Sequence, residues 1–70
     1  MERKSTILLN GEERALTAPL SLAELLAELA LDARKVAVER NREIVPRSLY
    51  RQTLLAPGDA LEIVHFIGGG

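Results

Sequence analysis

Apolar residues recur along this chain in two rhythms. Thr6-Ile7-Leu8-Leu9 is short and β-capable, with Ile7 and Leu9 on one side and Leu8 on the other. Asn10-Gly11 follows at once, a pair that tolerates positive φ at both positions and closes a type I′ hairpin. Residues 13–17 read as the returning strand, and Ala18-Pro19-Leu20 breaks the pattern. The rhythm then changes. Leu22, Leu25, Leu26 and Leu29 fall at i, i+3, i+4 and i+7, one stripe of an amphipathic helix. Ser21 and Glu24 before and within its first turn form a capping box, while Glu24 and Glu28 point to water.

Alternation returns in residues 35–40, with Val36 and Val38 on one face. Asn41-Arg42-Glu43 reads as a turn, and Ile44-Val45 as an extended piece stopped by Pro46. Residues 47–51 suit one helical turn with Leu49 and Tyr50 plugging the core, and Thr53-Leu54-Leu55 another brief strand. Pro57-Gly58-Asp59 is a tight turn. The last strand, residues 60–67, puts Leu61, Ile63 and His65 on one side and Glu62, Val64 and Phe66 on the other. A hairpin, one crossover helix and a late strand leave the helix on one face of a mixed sheet. Right-handed crossover sets the last strand beside the first. The expected fold is therefore α+β: a β-grasp with a four- to five-stranded mixed sheet and one main helix.

Length and charge narrow the function. Seventy residues hold one core, so the chain is expected to be a single domain over residues 1–70. With no Cys and a single His, ordinary zinc sites, disulfides and thiol nucleophiles are excluded. A net charge of −1 argues against nucleic acid as the main partner. No apolar run approaches the ~20 residues that span a bilayer, and residues 1–9 are too short for a secretory signal, so a cytoplasmic protein is expected. His65 has no titratable neighbour in sequence, which makes it a packing or partner-facing residue and the chain no enzyme by itself. The segment from Arg34 to Arg51 carries six basic residues (Arg34, Lys35, Arg40, Arg42, Arg47, Arg51) against Glu39 and Glu43. It reads as a solvated surface, or as steering towards an acidic partner.

The informative feature follows Ile67. Gly68-Gly69-Gly70 succeeds a strand, so there is no helix for these residues to cap. Glycine is costly to order, by about 0.5–1 kcal/mol relative to Ala, which makes the run useless as a folding device. As a flexible tail it makes sense: three extended residues reach about 10 Å, and without Cβ atoms they thread a narrow channel. At their end lies the carboxylate of Gly70. A carboxylate is a poor acyl donor until ATP converts it to an acyl-adenylate, whose AMP a sulfur or nitrogen nucleophile displaces.

These pieces together resemble the ThiS family, the ubiquitin-like sulfur carriers of thiamine biosynthesis. The likeness covers nearly the whole chain and is carried by Val38-Glu39-Arg40-Asn41, Ile44-Val45-Pro46-Arg47, Pro57-Gly58-Asp59 and the run from Glu62 through Gly70. It implies a non-enzymatic role. A ThiF-like adenylyltransferase would use ATP and Mg²⁺, bound by that enzyme and not by this chain, to adenylate the carboxylate of Gly70. A cysteine desulfurase pathway would supply the sulfur of a terminal thiocarboxylate, which the thiazole synthase ThiG would consume. Gly69 and Gly68 would form the slim entry segment, and the chain would have no catalytic or metal-binding residues of its own.

Leu8, Val64 and Phe66 are expected on the sheet face away from the helix and, with Ile67 beside the tail, form a candidate docking patch. Two other functions share parts of this pattern. A molybdopterin-synthase small subunit uses the same terminal chemistry with a different acceptor, and a β-grasp interaction module uses none.

Overall fold

The computed structural model describes residues 5–66. The sequence from Thr6 to Ala15 folds as a hairpin, β1 (Thr6–Leu9) and β2 (Glu12–Ala15), about Asn10 and Gly11, both with positive φ. Because two residues suffice for the turn, pairing begins at Glu12 opposite Leu9, earlier than the 13–17 strand expected from the pattern.

Helix α1 (Leu22–Glu28) starts where the capping box requires. The Glu24 N–H donates to Ser21 Oγ (3.1 Å), and the Ser21 N–H donates to a Glu24 carboxylate oxygen (2.8 Å). Two further first-turn donors are met from a distant segment: Leu22 N–H by the Thr53 carbonyl (2.8 Å) and Ala23 N–H by that of Tyr50 (3.0 Å). Leu22, Leu25 and Leu26 are fully buried, while Leu29 becomes the partly buried C-cap.

Strand β3 (Val36–Arg40) turns through Asn41 and Arg42 into β4 (Glu43–Ile44). Both turn residues have positive φ (53° and 72°), so Glu43 belongs to the strand and not, as expected, to the turn. A 3₁₀ turn over Arg47–Leu49 follows; Tyr50 is buried, but Leu49 is 43% exposed and is not a core plug. Thr53-Leu54-Leu55 does not make a strand either. A single bridge joins Leu54 to Ser21, with the Thr53 carbonyl accepting from Leu22 N–H at the helix start and Leu55 N–H donating to the Leu20 carbonyl. Strand β5 (Ala60–His65) ends two residues short of the expected 67, and Ile67 lies outside the described residues.

The sheet order is β2-β1-β5-β3-β4, with β1 and β5 parallel and every other pair antiparallel. That is the expected β-grasp with all five strands present. Ile7, Leu61, Val36 and Val38 face the helix and, with its leucines, Tyr50 and Leu55, make the core.

Candidate functional site

The strand that leads towards the glycines is the most tightly held in the sheet. On one side β5 pairs with β3 over five consecutive positions, Val36↔His65 to Arg40↔Leu61. On the other it runs beside β1, where Leu8 N–H donates to the Asp59 carbonyl (2.9 Å) and Asn10 N–H to that of Leu61 (2.8 Å). Two asparagines extend these ladders with their side chains. Asn10 Oδ1 accepts from Ile63 N–H (2.8 Å), and Asn41 Oδ1 accepts from Ala60 N–H (2.9 Å). The last described residue is still attached: Phe66 N–H donates to the Lys35 carbonyl (2.9 Å). The chain is therefore held to β3 and the residue before it up to the last described position.

Asp59 anchors the other end of β5. Its carboxylate is buried, and it accepts from Arg40 Nε (2.9 Å), Asn41 Nδ2 (3.1 Å) and Ala56 N–H (2.8 Å). Burial pushes its pKa up, but the Ala56 N–H, the Asn41 amide and the Arg40 guanidinium together outweigh it and hold the group below the usual carboxylate range. Gly58, with φ of 89°, supplies the left-handed position of the turn that brings Asp59 there.

The face turned away from the helix can be read off the register. Val36 and Val38 are buried, so Ala37 and Glu39 point outward, and their partners Val64, Glu62 and Ile44 share that face. Leu8 joins them from β1. Leu8, Val64 and Phe66 are 41, 58 and 56% exposed, as the alternation predicts, and nothing among the described residues covers them. Sequence reasoning missed Ile44, which is 66% exposed on the same face. Its signal was a two-residue strand, too short to show a period. Ile67, Gly68, Gly69 and Gly70 lie outside the described residues.

His65 is exposed at the rim of a cavity of about 200 Å³ on the helix side, lined also by Leu9, Asn10, Leu29, Leu31 and Ile63. The basic segment is partly absorbed locally. Arg40 binds Asp59, and Arg34 binds Asp32 (3.1 Å), whose carboxyl it draws down to about 2. Among the described residues no His, Cys, Asp and Glu side chains gather as a metal site, and no helix is long and apolar enough to cross a membrane.

Comparison with known proteins bears on the same residues. The model of the ThiS family matches residues 7–70, from β1 through all three glycines. A thiazole synthase of Paramagnetospirillum magneticum is 58% identical over 64 residues, covering 91% of this chain but 20% of that protein. The chain thus spans about a fifth of the thiazole synthases it matches, a second being that of Magnetococcus marinus at 47% identity. The sulfur carrier protein ThiS of Bacillus subtilis is 44% identical over 50 residues, covering 71% of this chain and 76% of that one. The crystal structure of a thiamine biosynthesis protein (ThiS) from Geobacter metallireducens superposes with a TM-score of 0.79 at 34% identity, covering 93% of this chain and 99% of the other. With the family match running unbroken from the first strand to the last glycine over this shared fold, the chain belongs to the ThiS family.

Proposed function

We propose that this chain carries sulfur for assembly of the thiazole of thiamine, and that Gly70 is the residue that carries it. The observation that supports this reading most is the family match extending through Gly68-Gly69-Gly70, which follow the central strand β5 in sequence after Phe66 and Ile67. In this reading the Gly70 carboxylate attacks the α-phosphorus of ATP in an adenylyltransferase and releases pyrophosphate. A persulfide, supplied through a cysteine desulfurase, attacks the resulting acyl carbon and displaces AMP. A thiol then reduces the acyl disulfide, and the electron pair leaves with the terminal thiocarboxylate that a thiazole synthase consumes. ATP and Mg²⁺ belong to the activating enzyme.

This chain's part is to present and to dock. Val64 and Phe66, with Ile67 following, offer apolar contact at the end of β5 nearest the glycines, and Leu8 and the added Ile44 extend that contact along the same face towards the start of β5. Gly68 and Gly69 bring only backbone into a channel. Relatives named thiazole synthase favour thiazole over molybdopterin as the destination.

Intact-mass analysis tests the reading directly. Incubated with the adenylyltransferase, MgATP, a cysteine desulfurase with cysteine and a thiol, the chain gains one sulfur in place of one oxygen. Deleting Gly70 abolishes that exchange and leaves thermal unfolding unchanged. Sulfur transfer by the truncated chain refutes the assignment.

A further inference from the structure

The outer face of the sheet sorts its charges along the strands. In the row that runs across β5 and β3, Glu62 stands directly opposite Glu39, with Ile44 beyond it on β4. Like charges directly opposed on neighbouring strands oppose folding. No salt bridge joins either carboxylate to a cation among the described residues. One row nearer the glycines the pair is apolar, Ala37 with Val64. At the next step the backbone of Phe66 is bonded to Lys35, and an Arg47 guanidinium nitrogen donates to the Arg34 carbonyl (3.4 Å). Arg34 is engaged with Asp32, but neither Lys35 nor Arg47 has a carboxylate partner among the described residues. Along β3 and β5 the order is therefore acidic at Glu39 and Glu62, apolar at Ala37 and Val64, and basic just past the start of β3, where Lys35 lies level with Phe66 and Arg47 reaches the adjacent Arg34 carbonyl.

Resting on the carrier reading above, we propose that this polarised strip is an orientation key for the adenylyltransferase. The enzyme's docking surface carries carboxylates beside the opening that admits the glycines, an apolar centre, and cations at the far end opposite Glu39 and Glu62. Apolar contact is non-directional, so a patch of Val64, Phe66 and Ile44 alone tolerates rotation that points the tail away from the opening. Charges of opposite sign at the two ends penalise the reversed pose and steer the encounter from a distance. The adenylyltransferase is the partner concerned because the carboxylate must be activated before it can accept sulfur. The unfavourable opposition of Glu39 and Glu62 then has a use in the complex that it lacks in the free chain.

Association of the full chain with the purified adenylyltransferase, followed by stopped-flow between about 0.05 and 0.5 M salt, tests this. The variants are Lys35→Glu with Arg47→Glu, the milder Lys35→Gln with Arg47→Gln, Glu39→Gln with Glu62→Gln, and Val64→Asp. At low salt the basic-end reversal slows association about tenfold or more, the two neutralised pairs less, and the differences vanish at high salt. Saturating carrier restores the adenylation rate, and Glu39→Gln with Glu62→Gln also raises the melting temperature. Val64→Asp weakens binding at every salt concentration. If Val64→Asp weakens binding while the charge variants associate as the parent does, the orientation key is wrong and the carrier reading stands. Charge variants that impair only the later step with thiazole synthase refute the key in the same way. If the parent chain is never adenylated, the carrier reading itself fails.

Discussion

Ala30 shows how one residue can end an element against its own preference. It follows the C-cap of α1 with φ of 59°, the left-handed position that glycine occupies at low cost. Leu31 N–H donates to the Leu26 carbonyl (2.9 Å) and Ala30 N–H to that of Ala27 (3.0 Å), the paired bonds of a Schellman motif. Ala30→Gly relieves about 1–2 kcal/mol of left-handed strain and loses about 0.5–1 kcal/mol to the greater entropy of unfolded glycine, so it is expected to raise the unfolding free energy by roughly 0.5–1 kcal/mol, measured by urea titration. The same contrast explains which turns were legible. Asn10-Gly11 announces positive φ by residue type, whereas Ala30 has no such preference and is held there by the hydrogen bonds around it.

Among the elements, α1 was the most legible because its leucine spacing, cap and burial agree. Leu25 has no exposed surface, so Leu25→Ala is expected to cost about 2–5 kcal/mol, while Leu49→Ala, at an exposed site, should stay within about 0.5 kcal/mol. Paired thermal and urea melts decide this; equal losses would place Leu49 in the core after all. Residues 44–55 were the least legible stretch. A two-residue strand, one 3₁₀ turn and an isolated bridge are each shorter than the period needed to recognise them. What fixes this stretch is the set of unpaired N–H groups at the helix start, which draw in the carbonyls of Tyr50 and Thr53.

For the molecule as a whole, the decisive contact is the one that Asp59 makes between the end of β3, the Asn41 turn and the turn before β5. Its folded pKa lies below the unfolded value, so its contribution is fully present above the unfolded pKa of about 3.9 and is lost as pH falls through the folded pKa. Asp59→Asn should therefore destabilise at pH 7, and the gap from the parent should close on acidification below about pH 4, as read from urea midpoints across pH. A constant gap would show that the carboxylate's charge contributes nothing. The hairpin, the helix, the central position of the last strand and the glycine run were all set by sequence alone, because period, cap and residue type act over a few neighbours. Tertiary structure alone decided that Ile44 joins the outer face, that Glu39 meets Glu62, and that Lys35 and Arg47 gather just past the start of β3. Those meetings depend on cross-strand register and on the path of an irregular segment, which long-range hydrogen bonds fix and no local pattern records.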